Sequence, residues 1–233
     1  MSIKIEIFSD FACPFCYIGK KRLEQAIEEL GFEKEVDIEY KTYLLDPEAS
    51  KEETKPFYEA MMEKYESSRE DVELMASSIQ QRANEVGLTY DFEKMQIGNT
   101  ENAHRLAKWA RQFNKEAAWI DAVMDRYFTK GLNVNDSEAL LTIVEAIGLP
   151  KEEAKAVLES EQYAEDIAKD RYEIQQLNVT SVPFFVFENK YGIIGAEPIE
   201  VFTKTLKQAK EVAAQKLNIA GGTDVCGPDG CKL

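Results

Sequence analysis

The chain has 233 residues, 44% of them apolar and 30% charged, enough for one sizeable core or two modest domains. No apolar run approaches the roughly 20 residues that a membrane helix needs. A balance of 43 acidic against 28 basic residues leaves a formal charge of −15, which disfavours nucleic acid and anionic lipid, since both call for a cationic face.

Ile3, Ile5 and Ile7 alternate with Lys4 and Glu6, the pattern of a half-buried strand rather than of a signal peptide. The chain is therefore expected in the cytoplasm. Pro14 suits the first turn of a helix, where its missing N–H costs nothing. Cys16, Gly19, Leu23, Ile27 and Leu30 follow at helical spacing, and Gly31 is a stop signal. Val36, Ile38 and Tyr40 alternate again, so the first part reads as a right-handed parallel β-α-β unit.

From about Glu48 to Ser160 no strand is expected, only amphipathic helices. One carries Val72, Met75, Ile79, Ala83 and Val86 behind a Ser68–Asp71 capping pair. A second carries Ala103, Leu106, Ala110 and Phe113, with Thr100 placed to cap it. A third runs through Trp119 and Val123, and a fourth through Leu140, Val144 and Ile147 behind Asp136. Gly148 and Pro150 punctuate the next. "VPFFVFENKYGIIGA" then reads as an antiparallel hairpin around Glu188-Asn189-Lys190, and a last helix carries Phe202, Leu206, Ala209 and Ala213.

The four cysteines fall into two tight pairs, Cys13 with Cys16 and Cys226 with Cys231. In a reducing compartment such spacing points to redox or metal chemistry. Only a thiolate attacks a disulfide. Cys13 stands where a helix begins, and the free N–H groups and positive dipole end there favour an anion. Cys16, one turn on, falls on the buried stripe. Spacing thus makes Cys13 the exposed nucleophile and Cys16 the sheltered resolving thiol. A zinc site shared with Cys226/Cys231 is the alternative, although nearly the whole chain separates the halves; an inert buried pair is another.

"SDFACPFCYIG" closely resembles the DsbA family of thioredoxin-fold oxidoreductases, in particular its FrnE-like branch. "IGNTENAHRLAKWA", "DRYFTKGLNVND" and "NVTSVPFF" extend the resemblance over essentially the whole chain. It implies an α/β fold in which a thioredoxin-like domain (residues 1–47 and 161–217) is interrupted by an all-helical insertion domain (48–160), followed by a glycine-rich tail (218–233). It also implies a cis Val182–Pro183 bond opposite the cysteines, with the Val182 carbonyl free for a substrate backbone. The activity implied is thiol–disulfide exchange with protein or small-molecule thiols and disulfides, without metal or organic cofactor, and with glutathione among the thiol partners. A glutathione-dependent isomerase or kappa-type transferase shares the plan, but such enzymes typically keep serine at the nucleophile position and lack the second thiol.

Four further features keep more than one reading. His104, the only histidine, either stabilises the Cys13 thiolate or lines a substrate groove, or else is simply packed. Asp10 suits a turn or cap better than proton transfer. Phe11 and Phe15 form either an apolar platform for substrate or part of the core. In "CGPDGC", Pro228 suits a type I turn that brings Cys226 and Cys231 towards the ~5.5–6 Å Cα separation of a disulfide. That pair serves as an auxiliary dithiol, a local staple or a weak metal-binding end.

Overall fold

β-Branched residues at every second position make β1 (Ile3–Ser9) a two-faced strand. In the computed structural model, which describes residues 2–220, Ile3, Ile5 and Ile7 point into the main core. Phe8 points the opposite way, against Phe184 and Ile174. Helix α1 (Pro14–Leu30) starts on Pro14 and stops at Gly31, whose φ of 65° is the left-handed value that glycine adopts without strain. Strand β2 (Val36–Thr42) pairs parallel with β1, from Ile3↔Val36 to Ser9↔Thr42.

Next come β3 (Lys55–Pro56), α2 (Phe57–Tyr65), α3 (Arg69–Asn84), β4 (Gln96–Ile97), α4 (Glu101–Arg111), α5 (Glu116–Lys130), α6 (Ser137–Ala146) and α7 (Lys151–Leu158). Helix α8 (Ala164–Gln176) leads to β5 (Phe184–Phe187), β6 (Tyr191–Ile194) and α9 (Ile199–Ala220). The main sheet has the order β2-β1-β5-β6, with β5 antiparallel to both its neighbours. Helices α1 and α9 pack together against it, while α8 lies on β2. The fold is thus a thioredoxin-like α/β unit carrying a helical insertion.

Local chemistry accounts for most of these boundaries. Ser68 and Asp71 form a reciprocal capping box on α3, and Asp136 accepts from the N–H groups of Glu138 and Ala139 to cap α6. The insertion is built on Trp119, Tyr127 and Phe128, all fully buried, and the Trp119 indole N–H donates to the Ala103 carbonyl at 2.9 Å.

Three expectations need correction. The insertion is not purely helical, because β3 and β4 pair antiparallel over two residues, a ribbon too short for a period-2 pattern to register. Thr100 precedes α4 but makes no side-chain cap; its hydroxyl is taken by Asp10. Phe113 lies past the end of α4 and is exposed, since the helix stops after Arg111. Helices α2 and α8 were not foreseen at all. The expected tail, with Cys226 and Cys231, lies outside the described residues.

Candidate active site

The strand-to-helix turn presents Cys13 as the N-cap of α1 in extended conformation (φ −92°, ψ 110°), with no side-chain cap bond and no acidic residue in the first turn. The positive end of the helix is therefore left to the sulfur. The Cys16 N–H donates to the Cys13 carbonyl at 3.0 Å, which closes the first turn and sets the two thiols on one side of it. Both are free thiols.

Cys13 is not exposed as the spacing argument has it. Only 4% of its surface is accessible, because its sulfur lies against the turn before β5, where its thiol donates to the Val182 carbonyl at 3.7 Å. That carbonyl is thus occupied by Cys13 rather than free. The Val182–Pro183 peptide bond is cis. Gly19 allows α1 to approach it: a Cβ at this position would stand 3.0 Å from Pro183 Cγ and 3.1 Å from Phe185 Cζ.

Cys16 is buried more deeply, at 2%. Burial pushes its thiol well above the usual range, and the hydrogen bond and charge of Cys13 push the same way. The Ser9 hydroxyl and the Asp10 amide act in the opposite sense without outweighing them.

Asp10 is a hub rather than a simple turn residue. Its buried carboxylate accepts from the Leu45 amide (2.7 Å), the Thr100 hydroxyl (2.7 Å) and the Ala12 amide (3.4 Å), with His104 Nε2 3.3 Å away. His104 is itself buried and packs its ring on Phe11, with 4.7 Å between centroids. It is placed behind the motif, against Asp10 and Phe11. Phe11 is core, while Phe15 is half-buried, with the Arg82 guanidinium 5.7 Å from its ring.

Tyr90 is a site residue that sequence reasoning missed. Its hydroxyl donates to the Pro14 carbonyl at 2.9 Å, and its ring stacks on Phe128 at 4.6 Å. Burial, together with Tyr17 and both cysteines, drives its phenol far up, so it remains a donor at neutral pH. It lies between α3 and β4 with no periodic pattern around it, so no signal marked it. A cavity of about 750 Å³ opens beside Asp10 and Ala12, floored by Ala60, Met61 and Ile97 and rimmed by Asp46 and Glu48. Among the described residues no cluster of histidine, cysteine and carboxylates is placed to hold a metal ion, and no helix is long and apolar enough to cross a membrane.

Comparison with known proteins places this geometry. A probable DsbA oxidoreductase, SCO1869 of Streptomyces coelicolor, has a crystal structure that matches with a TM-score of 0.84 at 34% identity, covering 99% of each chain. The uncharacterized protein YwbO of Bacillus subtilis is 25% identical over 214 residues, 91% of this chain and 99% of its own. The cytosolic disulfide reductase DsbM of Pseudomonas aeruginosa with GSH shares the fold, with a TM-score of 0.57 at 16% identity over 92% of this chain and 99% of that one. Residues 4–207 match the DSBA-like thioredoxin domain. A match that takes in the strand, the cysteine turn, the insertion and the hairpin together leaves one assignment: this chain belongs to the DSBA-like thioredoxin domain family.

Proposed function

We propose that the chain is a thiol–disulfide oxidoreductase of the FrnE-like kind, working through Cys13 as nucleophile and Cys16 as resolving thiol. The observation that carries this reading is the unequal setting of the two sulfurs. Cys13 caps α1 with no competing acid in the first turn, whereas burial holds the Cys16 thiol protonated until it is needed. In the reductive direction the Cys13 thiolate attacks a substrate disulfide and releases one substrate thiolate. Cys16 then attacks Cys13 Sγ, releasing the second thiolate and leaving a Cys13–Cys16 disulfide. The oxidative direction is the reverse.

The substrates are protein or small-molecule thiols and disulfides, glutathione among them, and the exchange needs no cofactor. Val182 and Pro183 stand against Cys13 where an incoming strand would meet it, and Phe15, half-buried on the first turn of α1, supplies an apolar contact. A reducing cytoplasm suits two free thiols. In this reading Cys226 and Cys231 serve as an auxiliary dithiol that exchanges with the first pair. A glutathione-dependent isomerase would leave the second thiol without a use.

Cys16→Ala is expected to trap a mixed disulfide on Cys13 when mixed with a disulfide substrate, and Cys13→Ser to abolish insulin reduction and oxidation of a reduced test protein. If Cys13→Ser keeps that exchange, the reading fails.

A further inference from the structure

The segment from Leu45 to Glu53, which joins the thioredoxin-like unit to the insertion, forms one wall of the cavity that opens beside Ala12. Two asparagines of the insertion hold that wall in place. Asn99 Nδ2 donates to the Ala49 carbonyl at 2.9 Å, and Asn135 Nδ2 to the carbonyls of Ser50 (3.0 Å) and Glu53 (3.1 Å). Asn135 Oδ1 accepts in turn from the Asn99 amide at 3.0 Å. A Cβ on Gly98 would stand 2.8 Å from Thr54 Cγ2, so the close approach of the two segments needs glycine there. The cavity is thus preformed, and its volume of about 750 Å³ is that of a ligand site.

Its floor and its rim call for different chemistry. Ala12, Ala60, Met61 and Ile97 make the floor apolar, which suits a methylene stem. Besides the buried Asp10, whose oxygens are already engaged, the rim carries four carboxylates and two ammoniums. Lys55 is spent on Glu63. That leaves the exposed Asp46, Glu48 and Glu53 with Lys64 alone against them on the lining, and among the described residues none of the three makes an ion pair. A lysine or arginine side chain, with its aliphatic stem and cationic head, satisfies floor and rim together. Glutathione, an anion at neutral pH, meets a rim of its own sign.

We propose that this cavity seats a basic side chain next to the reacting cysteine of a substrate polypeptide, so that Asp46, Glu48 and Glu53 select cationic protein segments over acidic ones and over glutathione. The proposal rests on the dithiol reading above and deepens it by naming the class of substrate. Ala12 lines the cavity and is joined directly to Cys13. Residues of an extended chain are about 3.3–3.6 Å apart, so a substrate whose sulfur meets Cys13 reaches the opening with a side chain one or two positions away. The formal charge of −15 draws cationic partners from a distance, but the cavity decides which side chain stands beside the sulfur.

The test uses the full-length chain with Cys226 and Cys231 replaced by serine, and three blocked pentapeptides. Each peptide has a central cysteine joined to 2-nitro-5-thiobenzoate and flanked on both sides by lysine, glutamine or glutamate. The Cys13 thiolate attacks the peptide sulfur, a Cys13–peptide disulfide forms, and the electron pair of the broken bond leaves with the coloured thiobenzoate. Rates are divided by those of 2-mercaptoethanol with the same peptide, which removes the peptides' own reactivity. The parent is expected to favour the lysine over the glutamine peptide by about 3- to 10-fold at low salt, the gain of one or two exposed ion pairs, and to disfavour the glutamate peptide. Asp46→Asn, Glu48→Gln and Glu53→Gln combined should bring the lysine-to-glutamine ratio close to one. Glu29→Gln, Glu200→Gln and Glu211→Gln combined, the same loss of charge on the α1–α9 face, should keep the parental ratio. Glu48→Lys with Glu53→Lys should turn the preference towards the glutamate peptide, a gain that misfolding does not produce. A parent without the preference overturns the proposal, as does a parental ratio in the first triple variant, an equal loss in the second, or a reversed variant that still favours lysine. If Cys13→Ser releases thiobenzoate at the parental rate, the dithiol reading fails instead.

Discussion

The Thr100 hydroxyl donates to Asp10 Oδ1 at 2.7 Å across 90 residues of sequence, and both side chains are buried. A threonine that local rules assign to the start of α4 is spent on the turn that carries Cys13. The insertion is thereby fastened to the cysteine turn at the carboxylate that also takes the Leu45 amide.

Thr100→Val removes this donor and keeps the shape. It leaves a buried carboxylate short of one hydrogen bond, a loss of about 1–3 kcal/mol. Urea denaturation should show that decrease, with Cys13 alkylation at neutral pH altered more than in a surface control.

Gly19→Ala sets two effects against each other. Replacing a helical glycine gains about 1 kcal/mol in helix propensity. The new methyl, however, would stand 3.0 Å from Pro183 Cγ and 3.1 Å from Phe185 Cζ, and overpacking of that kind costs about 1–3 kcal/mol. Crowding should win. We expect a lower midpoint of unfolding and slower exchange, and a more stable variant would show that α1 can shift without cost.

Glu116 makes stability depend on pH with a sign opposite to that of a salt-bridged acid. Its carboxyl lies at about 7 in the fold, chiefly through burial, against 4.5 as the ordinary value. Between those values the folded chain binds the additional proton, so this group's contribution to stability falls as pH rises through that window. Glu116→Gln should therefore unfold at higher denaturant than the parent at pH 8, by up to about 3 kcal/mol, and show little difference at pH 4. Equal midpoints at both pH values would count against a buried, uncompensated carboxyl.

Arg105 follows His104 in the sequence, yet its task is different. Its buried guanidinium collects the carbonyls of Val157, Ser160 and Gln162, tying the end of α7 and the start of α8 to α4. Arg105→Met should cost about 2–4 kcal/mol, since three carbonyls, the buried one of Val157 among them, lose a charged donor. Alkylation of the free thiols should keep its parental rate as long as the variant is folded.

These contacts mark where sequence reading succeeds and where it stops. The alternation of Ile3, Ile5 and Ile7, the Ser68–Asp71 box, Gly31 and the Glu188–Lys190 turn all act within a few residues, and periodicity or cap chemistry reveals them. The cysteine pair was legible for the same reason, since Pro14 fixes a helix start on the residue that follows Cys13. Thr100 was misassigned because its local role lost to a partner far along the chain. The cover over Cys13, the Tyr90 bond to Pro14 and the cavity beside Ala12 arise only when distant elements pack, so no spacing rule announces them.

The sheet order has a consequence for the growing chain. Cys13 is shielded by the carbonyl of Val182, and β1 acquires its second neighbour only with β5. During synthesis both thiols therefore leave the ribosome well before the segment that will cover them. Over that interval the pair is open to any passing disulfide, without the geometry that later disciplines it. The β5–β6 hairpin does more than complete a sheet: its arrival turns two open thiols into a covered pair.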